Sequence, residues 1–425
     1  MRITLLALGS RGDTQPFISL AIRLKEEGHS VIIGARPDYG DLVKAYGIEF
    51  SPIGNPIDVF MHNSVKNFES GNTWGLLKQR NANINYLYEN TGRDAYRAIS
   101  GSDAVMYIYF WYEGYNIAKK LGIPCAAAMF FPNTPTSEFP SFLAGKGIDR
   151  GRIGNAIFWR LNEMSNFLQN QNGVNNDFRR GVLEMRPFPY FGPQHDRVAK
   201  RTMPVFYGYS PSLLPKPSDW PDNIHVTGVW PALPPKEWSP PAELSAFLDG
   251  GQAPVYIGFG SMISNAEKTF GMIVKALEIS GRRGVIHSGW TGIGKTGALP
   301  PNIYCADDLP HHWLFPKMSA VVHHGGAGTT ATGLMCGTPT AVTPFAIDQY
   351  SWGRRVHAVG AGPAPVPFSE LTAEKLAALI DEAATDAAMR RNAMEIGEKM
   401  RKEDGVAYTI EKFMDYCKNW KKVRD

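Results

Sequence analysis

Cysteine is scarce in this chain: there are four in 425 residues, Cys125, Cys305, Cys336 and Cys417, with no two in CxxC spacing. That excludes a disulfide framework and a cysteine zinc site, and it predicts reduced thiols in a cytoplasmic protein. Long apolar runs are absent too. No window approaches the roughly 18 apolar residues of a membrane span, and the apolar run in MRITLLALGSRGD is too short for the core of a signal peptide. Excess charge is small, a net +4, so nothing demands a nucleic-acid partner. The surplus lies in residues 1–214, with 23 Lys and Arg against 18 Asp and Glu, versus 21 against 22 in the remainder. At most, that balance supports peripheral contact with a membrane surface. His, Cys, Asp and Glu do not gather at metal-ligand spacing, so no metal is expected.

What is present is a β-α rhythm, run twice. Length alone favours two domains. The apolar runs 2–8 (RITLLAL), 30–35 (SVIIGA), 103–109 (DAVMYIY) and 124–130 (PCAAAMF) read as strands buried on both faces. Helical patterns at 16–27 and 38–46 alternate with the first two, which argues for a parallel, doubly wound α/β sheet. Residues 53–72 and 131–156 read as long irregular loops, a usual place for function. Nine of the 31 prolines fall between Pro211 and Pro241, a density that helices and central strands reject and that reads as a stiff linker. Beyond it the rhythm restarts. Strands are expected at 254–260, 284–288, 303–305, 320–324 and 340–345, helices at 266–281, from 328 and at 349–358, and a helical tail at 372–420. The chain therefore divides into a first α/β domain (1–210), a linker (211–241), a second α/β domain (242–405) and a C-terminal helix (406–425). Ligands of such sheets bind beyond the carboxyl ends of the strands.

The densest chemical signal is HHGGAGTT (323–330), which follows a strand and opens a helix. Gly325, Gly326 and Gly328 let a ligand approach the backbone, and the free N–H groups of a helix start attract phosphate. His324, Thr329 and Thr330 add donors. Asp348-Gln349 is either a helix cap or a carboxylate–amide pair for sugar hydroxyls, which need acceptors as well as donors. Asp13, in DTQP, is equally a good helix start and a residue placed to take a proton from a hydroxyl. His29 reads as a turn residue. Tyr107, Tyr109, Phe110, Trp111, Tyr112 and Tyr115 read mainly as core, at a strand end that faces the cleft.

Residues 321–356, VVHHGGAGTTATGLMCGTPTAVTPFAIDQYSWGRRV, resemble the donor signature of family 1 glycosyltransferases with the GT-B fold. The closest likeness is to the branch of sterol glucosyltransferases and bacterial antibiotic glycosyltransferases. GSRGDTQPFISLAIRLKEEGHSV (9–31), GFGSM (258–262), HSGW (287–290) and DLPHHWLFP (308–316) are similar to that branch as well. The likeness runs from residue 1 to about 360 and thins at 53–100 and 140–200. It implies two Rossmann-like domains facing across a cleft, the last helix crossing back onto the first. It also implies an inverting, metal-independent transfer of a hexose, glucose from UDP-glucose by default, to a hydroxyl of a hydrophobic small molecule. No cofactor is implied beyond the UDP-sugar co-substrate.

Carried over by position, the resemblance places Leu309 and His311 at the base and ribose and Trp290 near the nucleoside. His324, Ala327, Gly328 and Thr329, with Ser261, fall at the diphosphate, and Asp348 and Gln349 at the hexose. Ser10 and Arg11 would reach across the cleft. Asp13 is the implied base; many relatives use His in this loop, whereas this branch has Asp. FFPNTPTSEFPS (130–141) is similar to bacterial and sterol-type relatives and implies a bulky apolar alcohol: a sterol, polyketide, flavonoid or peptide antibiotic. His62, Phe110 and Trp111 are the candidates for its pocket.

Two rivals compete. GWTGIGKT (289–296) fits a P-loop by letter, but Gly297, Pro300 and Pro301 stand where the helix must begin, so an ATPase is excluded. Arg36, at the end of the second strand, would read a 2′-phosphate in an NADP-dependent oxidoreductase. The first turn, GSRGD, lacks the G-x-G-x-x-G such an enzyme needs. A non-catalytic sugar-nucleotide binder would need the donor residues but not Asp13.

Overall fold

The computed structural model describes the chain apart from residues 56–89, 110, 112, 146–148, 169–170, 188–202, 233, 235–237, 261–264, 289–298, 307–308 and 422–425. It holds two parallel sheets. The first is built from β1 (Arg2–Leu6), β2 (Ser30–Ala35), β3 (Glu49–Pro52), β4 (Ala104–Ile108), β5 (Cys125–Met129), β6 (Val205–Tyr207) and β7 (Ile224–Val226). Their spatial order is β3-β2-β1-β4-β5-β6-β7. The second holds β8 (Val255–Gly258), β9 (Gly284–His287), β10 (Ile303–Ala306), β11 (Ala320–His323) and β12 (Thr340–Val342). Their order is β10-β9-β8-β11-β12. β4, β5 and β8 are buried along their whole length, as continuous apolar strands covered on both faces must be.

In each sheet the first strand separates its second from a later one, so the winding reverses beside β1 and beside β8. Loops leaving a sheet at such a reversal diverge and open a crevice. The register pairs Leu6 with Tyr107 and Gly258 with His323. The loops after β1 and β4, and those after β8 and β11, therefore leave side by side.

The helices that shape the cleft are α1 (Arg11–Glu26), α2 (Glu113–Leu121), α3 (Gly151–Leu168), α4 (Ala327–Met335), α5 (Gln349–Ala358) and α6 (Gly405–Asn419). α1 starts five residues ahead of the helical pattern at 16–27, at Arg11, and takes in Pro16 as its sixth residue. The segment expected to be irregular at 131–156 ends inside α3. The proline-rich stretch is not all linker either. Ile224–Val226 within it forms β7, an edge strand, the one place in a sheet that suits a proline-rich neighbourhood.

α6 packs on α1, and its Tyr408 Oη lies 3.2 Å from His225 Nδ1 on β7. Trp352, Val356, Leu334 and Met400 of the second lobe join the same apolar core as Phe17, Phe130 and Trp230 of the first. Gly228 and Gly405 meet backbone to backbone: a β-carbon on Gly405 would lie 2.5 Å from the Gly228 oxygen. No helix among the described residues is long and apolar enough to cross a membrane.

Candidate functional site

In the first lobe, Asp13 lies in the opening turn of α1 and folds back on the residue before the helix. The Ser10 N–H (2.6 Å) and the Ser10 hydroxyl (2.9 Å) both donate to Asp13 Oδ2. Gly9 makes room, since a β-carbon there would lie 2.2 Å from that oxygen. Both bonds fall on Oδ2, so capping leaves Oδ1 for another partner, and the two readings of Asp13 are compatible. Loss of water at this half-buried carboxyl pushes its pKa up, while the Ser10 bonds and the charge of Arg36 hold it down. Arg36 donates through Nη1 to the Asn55 carbonyl (3.4 Å). Its charge acts on Asp13, which is not the work of a nucleotide-phosphate reader. The charge of Arg11 is felt by His311 of the other lobe.

In the second lobe, the chain leaves β11 into a turn whose glycines have distinct reasons. Gly325 has φ +93° and would put a β-carbon 2.7 Å from Val342 Cγ1. Its N–H donates to His323 Nδ1 (2.9 Å). The proton of that ring must therefore sit on Nε2, which is buried without a partner; burial holds the imidazole far below its usual pKa. His324 is wedged between Gly260 and Gly326, where β-carbons would lie 3.2 and 2.7 Å from its ring. Its Nδ1 is buried without a hydrogen bond of good geometry, and burial, opposed by the Gly258 backbone, lowers its pKa to about 4, so the ring is neutral at pH 7.

α4 opens at Ala327, and a β-carbon on Gly328 would meet nothing, which leaves room for a ligand at the helix start. Ala327 and Gly328, with Gly12 of α1, line one cavity of about 30 Å³. Two helix N-termini, one from each lobe, thus face the same space. Thr329 is half-buried there. Thr330 is not a ligand donor: it is fully buried and its hydroxyl donates to the Gly326 carbonyl (2.9 Å), which braces the turn. His311 Nε2 lies 3.0 Å from Tyr256 Oη, and its ring stacks on Phe315 at 4.5 Å. Burial pushes it down to about 3. Leu309 packs on the cluster that holds Phe315.

Asp348 precedes α5 but makes no side-chain cap. Instead Trp352 Nε1 donates to its Oδ2 (3.1 Å). Burial first, and then the charge of Asp13, raise its pKa to about 7. Ile347 just before it has φ +56°, a left-handed backbone that costs a β-branched residue energy and is typical of ligand-holding turns. Gln349 departs from expectation. Its Oε1 accepts from the Phe345 N–H (2.8 Å) and the Ala346 N–H (3.2 Å), so the amide carbonyl holds its own loop and only Nε2 is left to donate.

Ser261, Trp290, His62 and Phe110 lie outside the described residues, as does the 289–296 turn. Trp111, at the end of β4, is half-buried against the first core. Sequence reasoning passed over Trp352, although its spacing of four from Asp348 on a helix was a usable signal. It also passed over Tyr256 and Phe315, the supports of His311, and over Glu113 in the first turn of α2. Glu113 is 1% exposed, with both carboxyl oxygens unpaired, and burial pushes it up to about 8.

Comparison with known proteins agrees with this layout. Residues 3–140 match the glycosyltransferase family 28 N-terminal domain, and residues 285–411 match the erythromycin biosynthesis protein CIII-like C-terminal domain. A sterol 3-beta-glucosyltransferase of Arabidopsis thaliana is 36% identical over 98% of this chain and 66% of its own length. A second from the same plant is 34% identical over 97% and 68%. One from Cryptococcus neoformans is 32% identical over 99% of this chain and 27% of its own length. The chain thus spans about two thirds of the plant relatives and about a quarter of the fungal one. Among solved structures, the calicheamicin glycosyltransferase superposes with a TM-score of 0.71 at 19% identity, covering 99% of both chains. The glycosyltransferase VinC in complex with DTDP gives 0.69 at 19%, covering 99% of this chain and 100% of its own. At that identity the shared property is the fold, GT-B.

Proposed function

The chain belongs to the family of the sterol 3-beta-glucosyltransferases, and from that membership we propose that it transfers glucose from UDP-glucose to the hydroxyl of a sterol. The observation that carries the reading is the pairing of Asp13 and Asp348 from opposite lobes, beside two helix starts that converge on one cavity. In this account the acceptor O–H gives its proton to Asp13 Oδ1 as its oxygen attacks the anomeric carbon. The bond from that carbon to the diphosphate oxygen breaks, and UDP leaves. Attack from the face opposite the leaving group inverts the anomeric centre.

Charge gathers on the departing diphosphate. The N–H groups at the start of α4, the Arg11 guanidinium and His324 meet it. His324, being neutral, acts as an N–H donor and not as a cation. Leu309 and His311 take the nucleoside side, and Asp348 with the Gln349 amide takes the hexose hydroxyls.

The test is product analysis by mass spectrometry. Purified protein is offered UDP- and dTDP-sugars against sterols, polyketides, flavonoids and peptide antibiotics. A sterol β-glucoside formed from UDP-glucose, and formed undiminished in EDTA, is the expected result. Products from polyketide or peptide acceptors but none from sterols would transfer the assignment to the natural-product branch.

A further inference from the structure

We infer that the outer face of α3 is a membrane-docking surface that seats this protein on an anionic lipid bilayer. On α3, Ile153 is 79% exposed, Ile157 54% and Leu161 52%. Spaced four apart, they form one stripe along the helix. The opposite face is already anchored. Asn155 and Trp159 are buried, with Asn155 Nδ2 donating to the Ser137 carbonyl (3.3 Å) and Trp159 Nε1 to the Phe139 carbonyl (3.2 Å). A surface helix of a water-soluble domain normally turns polar residues outward; this one turns out branched aliphatics. The other large apolar side chains exposed among the described residues, such as Ile279, Met394 and Tyr408, stand singly on separate helices.

Charge selects the partner. Arg160 flanks the stripe on α3, and Arg152 stands exposed at the N-terminal end of the same helix. Arg152 approaches Glu138 at 3.6 Å yet keeps 70% of its side chain exposed. The neighbouring Asp149 is exposed, but its Oδ1 is engaged on the helix start, accepting from the Gly151 N–H (2.9 Å) and from Asn155 Nδ2 (2.9 Å). An aliphatic stripe edged by arginines is the pattern of a helix lying in an anionic lipid interface. A second copy of this chain fits worse, because two such faces would set arginine against arginine.

The position of α3 gives docking a use. Phe139, which anchors Trp159, packs on Phe142 (5.8 Å), and Phe142 packs on Trp352 (5.1 Å), the donor to Asp348. A helix resting on lipid would thus lie a few ring contacts from the sugar carboxylate. Under the sterol reading, the acceptor would be met where it resides.

The experiment is vesicle flotation of the full chain without donor or sterol, on phosphatidylcholine alone and on phosphatidylcholine with phosphatidylserine. Binding should require phosphatidylserine and weaken with salt. The triple variant Ile153→Ser, Ile157→Ser, Leu161→Ser should bind about tenfold less or weaker still. Arg152→Gln with Arg160→Gln should lose about fivefold per arginine. The melting temperature of both variants, and their transfer to a detergent-dispersed acceptor, should match wild type. Wild-type protein that stays with the aqueous phase, or a triple variant that floats equally well, overturns the inference. So does a stripe that proves buried in a dimer by ultracentrifugation. Because binding is read without sterol, a chain that docks but glucosylates no sterol defeats the proposed function and leaves docking standing.

Discussion

Asp13 and Asp348, one from each lobe, lie close enough that the charge of the first adds to the burial that lifts the second to about 7. Two carboxyls in one cleft separate in this way when one has better support for its charge. Asp13 has two bonds from Ser10 and the guanidinium of Arg36 nearby. Asp348 has one side-chain partner, Trp352. At neutral pH Asp348 is therefore divided between two states, and the better-supported charge of the two is that of Asp13.

Asp13→Asn keeps the shape and the cap, since Asn serves at helix starts as well as Asp, but it cannot accept a proton. kcat should fall about 10²–10⁴-fold, with donor affinity and melting temperature near wild type. Retention of more than half the wild-type kcat across neutral pH rules out the base.

Arg36→Gln tests the electrostatic support of that base. Arg36 lowers the Asp13 pKa, so removing its charge must raise it. The acid limb of the pH–kcat/KM profile should move to higher pH, with the alkaline side unchanged. A uniform loss of activity without displacement of the limb would make Arg36 a packing residue only.

His323→Leu removes the acceptor of the Gly325 N–H and should raise the donor KM about tenfold, as expected when a buried donor loses its partner. His323→Asn puts an oxygen near the place of Nδ1 and should restore most of the affinity. Equal KM values for the two variants would reduce His323 to a filler of space.

Asp348→Asn and Gln349→Ala should weaken discrimination between UDP-glucose and its epimers more than they weaken binding of UDP. Calorimetry on UDP and on UDP-glucose separates the effects. The Gln349 variant should also lower stability, because the Phe345 and Ala346 N–H groups lose their acceptor. Matched losses for both ligands would remove the pair from the sugar.

Glu113→Gln should stabilise the fold in a pH-dependent way. A carboxyl whose folded pKa stands at about 8 binds a proton more tightly in the native state than in the unfolded one. Its cost is therefore absent at low pH, grows from about pH 4.5 to 8, and is constant above. The gain of the variant should be near zero at pH 4 and about 4 kcal/mol at pH 8. Thermal melts across that range check it; a difference independent of pH would mean that the Glu113 carboxyl titrates alike in the folded and the unfolded chain.

Much of this was legible beforehand where one property dominates. Continuous apolar runs located β1, β2, β4 and β5, because burial on both faces leaves no other composition available. β3, β6 and β7 escaped notice: Glu49–Pro52 is amphipathic and half-exposed, and the other two are three residues long, too short for any period. The turn after β11 was readable from its glycines, but which of them open onto space was not. Gly325 and Gly326 make room for protein atoms, and only Gly328 opens onto space. Likewise Thr329 and Thr330 are identical by letter, yet one more residue along the helix turns the second hydroxyl into the core. Arg36 and Asp13 are too far apart in sequence for any pattern to join them; the neighbouring positions of β1 and β2 do so.

The contact of Gly228 with Gly405 has a mechanical consequence. The chain passes between the lobes twice, and at this point the two passages touch with no side chain between them. Phe142 on Trp352, and Arg355 Nη2 on the Leu213 carbonyl (2.6 Å), also join the lobes, but through side chains that can turn about their own bonds. The glycine pair has no such slack. A methyl group at residue 405 would strike the Gly228 carbonyl oxygen, 2.5 Å away, so an alanine there must force the two crossings apart.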